Sequence, residues 1–138
     1  MIFFVPCLPV AQPRPKATTI NGKARMYAAK ASHPIHVFKQ SVKHAWHSAG
    51  AEKLEGPLSA VIEFIFERPA KVPKKLGTGR IIKAKKPDAD NLIKGVLDAL
   101  NGLAYHDDGQ IAIVLMKKYH AAEGETPGVT VQIIPAIG

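Results

Sequence analysis

Cysteine is almost missing: Cys7 stands alone in 138 residues. One thiol closes no internal disulfide, which argues against a disulfide-stapled secreted scaffold and for a reducing cytoplasm. Cys7 itself lies in an apolar run and reads as a strand residue. Long apolar runs are missing too, and none approaches the roughly 20 residues that cross a bilayer. The opening M-I-F-F-V-P-C-L-P lacks the positive flank of a signal peptide. Acids are scarce, 11 against 19 lysines and arginines, for a net charge of +8. Such a surface attracts polyanions such as nucleic acid. The six histidines include His33-x-x-His36 and His44-x-x-His47. No cysteine or third ligand stands beside either pair, so a zinc site is not expected.

What is present is a chain 46% hydrophobic, enough for one packed core. No repeat or second domain interrupts residues 1–138. Ile2 to Leu8 reads as a short strand, kept at an edge or cut short by Pro6 and Pro9. The stiff basic segment Q-P-R-P-K-A follows, then a turn at Asn21-Gly22. Ser32 is the expected cap of a helix running to about Gly50, with Pro34 in its first turn. Ile35, Phe38, Val42, Ala45, Trp46 and Ala49 make its apolar stripe, flanked by His36, Lys39, Lys43 and His47. Leu58 to Arg68 alternates as a half-buried strand. Pro69 to Pro87 carries seven basic residues and no acid. Broken by Pro73, Gly77 and Gly79, it reads as a mobile loop. A second helix is expected from near Asp88 to Asp90 until Gly102. Strands follow at Gln110 to Tyr119 and Gly128 to Pro135, with E-G-E-T-P-G between them read as a hairpin loop. The expected fold is α/β of the α+β type: a small mixed sheet of about four to five strands packed against two main helices.

Five of the 11 acids crowd into K-P-D-A-D-N-L-I-K-G-V-L-D-A-L-N-G-L-A-Y-H-D-D-G-Q. Clustered carboxylates repel, so the cluster calls for a cation. Asp88 and Asp90, one residue apart before a helix, can converge on one point and suit Mg²⁺. Asp107-Asp108 would add charge if the strand start stood beside the helix start. The plainer alternative is an N-cap at Asp88 or Asp90 and an Asp-Asp-Gly turn. A cap explains neither the second carboxylate nor two clusters bracketing one helix. Lys94 shares a helix face with Asp90 and Asp98. It reads as a phosphate or transition-state contact, with Asp98 as its tether. A surface ladder worth about 0.3–0.5 kcal/mol per pair is the alternative. Together these parts point to metal-assisted phosphodiester hydrolysis.

Backbone contacts to DNA are expected from Arg14 and Lys16 in the N-terminal segment, and from Lys39 and Lys43 on the first helix. Lys74, Lys75, Arg80, Lys83, Lys85 and Lys86 of the basic loop would add to them. Tyr27, between Arg25 and Lys30, is the aromatic candidate for DNA contact. Trp46 lies on the core stripe, and His106 is a neighbour of the acid pair.

The run K-P-D-A-D-N-L-I-K-G-V-L-D-A-L followed by D-D-G-Q resembles the RusA family of Holliday junction resolvases, typical of phages and prophages. The family pattern D-x-D-N-x-x-K, D-A-L, D-D-x-Q is present in order, and Q-P-R-P resembles the family more loosely. A long lysine-rich insertion before the motif departs from it. The resemblance implies a small α/β homodimer that resolves four-way DNA junctions by symmetric paired nicks with Mg²⁺, or Mn²⁺, in recombination and repair. It implies Asp88, Asp90 and Asp108 as metal ligands and Lys94 as the helix lysine. A DNA-binding protein that does not cleave, and a phosphatase acting on small molecules, are the alternative classes.

Overall fold

The computed structural model describes residues 1–14, 22 and 29–137 in full, and residues 16–20 and 23–27 as backbone. The side chains of Lys16 and Tyr27, two of the expected DNA contacts, lie outside the described residues. Strand β1 covers Ile2–Val5, and β2 (Lys16–Ile20) and β3 (Lys23–Tyr27) form a separate antiparallel hairpin. Helix α1 (Ile35–Ser48) precedes β4 (Leu58–Phe66) and the two-residue β5 (Ile81–Ile82). Helix α2 (Ala89–Leu100), β6 (Ile111–His120) and β7 (Gly128–Pro135) complete the chain. The main sheet has the order β1-β7-β4-β6-β5. Its β4–β6 pair is parallel and its other pairs are antiparallel. This is the mixed sheet with two helices that the sequence leads one to expect.

Period-2 burial in β4 builds the core. Leu58, Ala60, Ile62 and Phe64 are buried against Ile35, Phe38 and Val42 of α1 and Leu92, Val96 and Leu100 of α2. Val129, Val131 and Ile133 of β7 and Phe3 and Val5 of β1 join the same cluster. Both helices therefore cover one sheet face. The alternation slips at the end of β4, where Ile65 is buried and Phe66 only half so.

Four expectations change. Helix α1 begins at Ile35 behind Pro34, and the exposed Ser32 does not cap it; the His33 ring accepts from the Ile35 N–H at 3.0 Å. Ala49 is exposed and outside the stripe. The segment between β6 and β7 is no hairpin loop, because β4 lies between those strands. Residues 69–87 are also not structureless. They hold a 3₁₀ turn at Lys74–Leu76 and β5, which pairs with Tyr119 and His120. The Arg68 guanidinium donates to the carbonyls of Gly77 and Gly79, each at 2.8 Å, and of Ala121 at 3.1 Å.

One edge stays open. Strand β5 covers only the end of β6, leaving Ile113, Val114 and Leu115 exposed by 48%, 40% and 52%. At the opposite edge β1 lies tightly on Gly128, where a Cβ would run into the Phe4 ring and the Val5 carbonyl. Gly128→Ala should therefore prise β1 from β7 and cost about 1–3 kcal/mol, as overpacking does. A denaturant midpoint no lower than that of the parent protein would contradict this close fit.

Candidate active site

The start of α2 gathers the first acids. Asp88 occupies the N-cap position in extended backbone, yet its side chain makes no capping hydrogen bond. Asp90 follows in the first turn. Both carboxylates turn instead toward one guanidinium nitrogen. Arg14 Nη2 lies 3.4 Å from Asp90 Oδ2 and 3.9 Å from Asp88 Oδ2. The pair thus converges on a single positive charge, and the cap alternative fails for Asp88. All three side chains are more than half exposed, so the ion pairs are screened and contribute little to stability.

Arg14 is delivered there by backbone packing. The Gln12 N–H donates to the Asn91 carbonyl at 2.9 Å. Gly95, buried in α2, lets that segment lie close. A Cβ at Gly95 would stand 3.3 Å from Ile35 Cδ1, 3.5 Å from the Val10 oxygen and 3.6 Å from the Gln12 nitrogen. Lys94, one turn past Asp90, pairs with Asp98 at 3.3 Å.

The second acidic pair divides its work. Asp107 caps the 3₁₀ turn Asp108–Gln110, accepting from the Gly109 N–H at 3.0 Å, and the Gln110 side chain accepts from the His106 and Asp107 N–H groups. Asp108 is exposed and its side chain makes no hydrogen bond or ion pair among the described residues. His106 is tied to Glu55 at 2.6 Å. Burial pushes the Tyr105 phenol well above its ordinary pKa, with the charges of Asp108, Asp98 and Asp107 adding to the shift. That phenol donates to the Leu97 carbonyl, tying the segment after α2 back to the helix's second half.

The expected gathering of three carboxylates does not occur within one copy. Among the described residues, no three His, Cys, Asp or Glu side chains form a group able to hold a metal. The reason is topological. Lys118 Nζ binds the Lys85 and Pro87 carbonyls at 2.7 and 2.8 Å, tying the start of α2 to the far end of β6. Asp108 precedes the first residue of β6. The strand start expected beside the helix start thus lies roughly 20 Å of strand away. What converges is a two-carboxylate set aimed at one cation. That fits a hard divalent ion, since Mg²⁺ takes one or two protein carboxylates and fills its shell with water and phosphate oxygens.

Residues 6–134 match the family described as Endodeoxyribonuclease RusA. The chain belongs to the RusA endodeoxyribonuclease family. The uncharacterized protein YqaN of Bacillus subtilis (strain 168) is 35% identical over 123 residues, covering 83% of this chain and 84% of that protein. The family resemblance seen in the acidic motif therefore extends over nearly the whole fold.

Around this RusA site the expected DNA contacts differ in availability. Lys74, Lys75, Lys85 and Lys86 are exposed, and Lys39 and Lys43 are half-buried on α1. Lys83 is half-buried with Nζ 5.1 Å from the Phe66 ring centre. Arg80 departs from its expected role. It clasps Glu125 through Nε and Nη2 and Glu63 through Nη1, holding the Glu125 carboxyl below its usual range. Arg80 therefore braces the basic loop. Lys118 and Arg68 were not among the expected site residues, though a Lys-Lys pair inside the apolar β6 was a signal for the first.

Lys118→Met would leave two carbonyls without their charged donor. The expected loss is about 1–3 kcal/mol, with faster amide exchange at the start of α2. Unchanged exchange there would remove Lys118 from the site's support.

Proposed function

We propose that this chain is a structure-selective, metal-dependent endodeoxyribonuclease that cuts four-way DNA junctions as a homodimer. The observation that carries the reading is the pair Asp88 and Asp90, spent on no cap and converging on one cation. Asp88 and Asp90 would hold Mg²⁺ or Mn²⁺, with Asp108 as the third carboxylate of the family motif. A bound divalent ion supplies polarisation of a phosphoryl oxygen and an activated water.

The chain's own residues do the rest. Lys94 lies one turn into α2 and offers its ammonium to charge developing on the phosphoryl group, while Asp98 holds it in place. Lys74, Lys75, Lys85 and Lys86 approach DNA phosphates along the basic segment, with Arg14, Lys16, Lys39, Lys43 and Lys83 extending the surface. Tyr27 stacks or packs against the DNA. Affinity is therefore steeply salt-dependent. No helix of the described chain is long and apolar enough to cross a membrane.

A junction binder that does not cleave is the second reading, and one observation favours it: Asp108 is not gathered with the acid pair inside one copy. A synthetic four-way junction and a matching linear duplex, each with and without Mg²⁺, separate the two. Paired nicks in the junction alone are expected. Junction binding without nicks at every metal concentration selects the second reading, and hydrolysis of small phosphate esters without DNA affinity rejects both.

Asp90→Asn is expected to lower cleavage about a hundred- to a thousandfold, the order of loss seen when a group stabilising charge in the transition state is removed. Junction binding should hold or tighten, because a negative charge leaves the DNA surface. The metal-free melting temperature should stay close to that of the parent, since the substitution relieves like-charge crowding. A large fall in that temperature would make Asp90 a structural residue.

A further inference from the structure

We propose that Gln110 is a positioning residue for the nuclease reaction. Its side-chain amide clamps the turn at Asp107–Gln110 onto the loop before β4, and so holds Asp108 where a metal ligand is needed. This rests on the metal-dependent reading above and names the residue that fixes the third carboxylate.

The chemistry of one amide carries it. A glutamine side chain offers an oxygen with two lone pairs and a nitrogen with two N–H donors. Gln110 uses all of them. Its Oε1 accepts from the His106 N–H at 2.7 Å and the Asp107 N–H at 3.2 Å. Its Nε2 donates to the Leu54 carbonyl at 3.2 Å and the Gly56 carbonyl at 3.0 Å. Turning the amide over would set donors against donors and its oxygen against two carbonyls, so the network fixes its orientation. Glutamate would present an acceptor to both carbonyls. Lysine would present a donor to both N–H groups. Neither serves both ends.

The clamp joins distant parts of the chain at a rigid place. Leu54 and Gly56 lie 56 and 54 residues from Gln110. The Leu54 N–H also donates to the Ala104 carbonyl at 2.8 Å, and Glu55 meets His106 at 2.6 Å. Leu54, Glu55 and Gly56 thus all hold the segment that carries the second acid pair. Both segments lead straight into the sheet, where Leu58 of β4 stands in register with Ile111 of β6. The acidic turn is therefore anchored where two paired strands begin.

The turn divides its labour so that one carboxylate is left over. Asp107 accepts from the Gly109 N–H, and Gly109 has no side chain to interfere; a Cβ there would stand 2.7 Å from Asp107 Oδ2. Gln110 satisfies the two N–H groups before it. The Asp108 carboxylate is spent on neither task. A turn with only a structural task is served by the Asp107 cap. It needs no second polar side chain reaching across to another loop. A metal ligand does need one, because it must be held to within about 0.5 Å of its working position.

Two variants on separate loops test this. Gln110→Met keeps the length of the side chain and loses all four bonds. Gly56→Ala disturbs the carbonyl end, because Gly56 has φ +73, where an L side chain is strained. Each is expected to weaken Mn²⁺ binding about 10–100-fold, the loss that follows when a group orienting a metal ligand is removed. Electron paramagnetic resonance of the free ion reads it. The Mg²⁺ concentration for half-maximal junction cleavage should rise by the same factor, with metal-free junction affinity as in the parent. Amide exchange in the metal-free protein should quicken at residues 54–56 and 106–110 together. If Gln110→Met does not fold, Gly56→Ala decides. Faster exchange with Mn²⁺ affinity and Mg²⁺ dependence as in the parent would overturn the inference and leave the nuclease reading in place, since the clamp would then serve the fold alone. Unchanged exchange would overturn it as well, since the amide would then hold nothing. A parent protein that binds no Mn²⁺ overturns the nuclease reading and this inference with it.

Discussion

Two carboxylates one residue apart at the start of a helix repel each other, and the structure around them is organised by that repulsion. Arg14 supplies the opposing charge, reaching both Asp88 and Asp90 with one nitrogen. Its placement depends on Gln12 bonding to Asn91 and on Gly95 having no side chain. Lys118 then fixes the approach to the pair by gripping two carbonyls just before it. A screened guanidinium is a weak neutraliser. A divalent ion at the same point carries twice the charge and accepts water and phosphate oxygens as further ligands. On the proposed reading, such an ion would displace Arg14 from the two carboxylates.

The scaffold separates acid from base. Helix α2 forms the crossover between the parallel strands β4 and β6, and the lysine-rich segment leads directly into its first turn. Arg68 and Arg80 spend their charge on bracing that segment, through the carbonyls of Gly77 and Gly79 and the carboxylates of Glu125 and Glu63. The exposed lysines are then carried on a supported frame and not on a free tether. This division between bracing arginines and exposed lysines suits a surface that must hold a polyanion beside an acidic centre.

Much of this was legible in the residue pattern. The alternation from Leu58, the stripe Leu92, Val96 and Leu100, and the stop at Gly102 all reflect local periodicity and backbone preference, which short stretches of chain carry. Asp88 and Asp90 were legible as a pair because two carboxylates exceed what a cap requires. Non-local pairing was not legible. Nothing in E-G-E-T-P-G reveals that β4 will lie between β6 and β7, and an apparent hairpin became a crossing. Arg80 read as one basic residue among seven, because its partners come from distant parts of the chain, Glu63 from β4 and Glu125 from the loop between β6 and β7. The separation of Asp108 from the pair has the same origin: sequence order sets the acids at both ends of a helix, and only the sheet decides whether those ends meet.

The direct measurement is the position of a bound ion. Crystals soaked in Mn²⁺ and recorded at a wavelength where manganese scatters anomalously should show a peak between the carboxylates of Asp88 and Asp90, with the Arg14 guanidinium moved off them. No peak there at saturating Mn²⁺, with Arg14 still bridging both acids, would contradict the account.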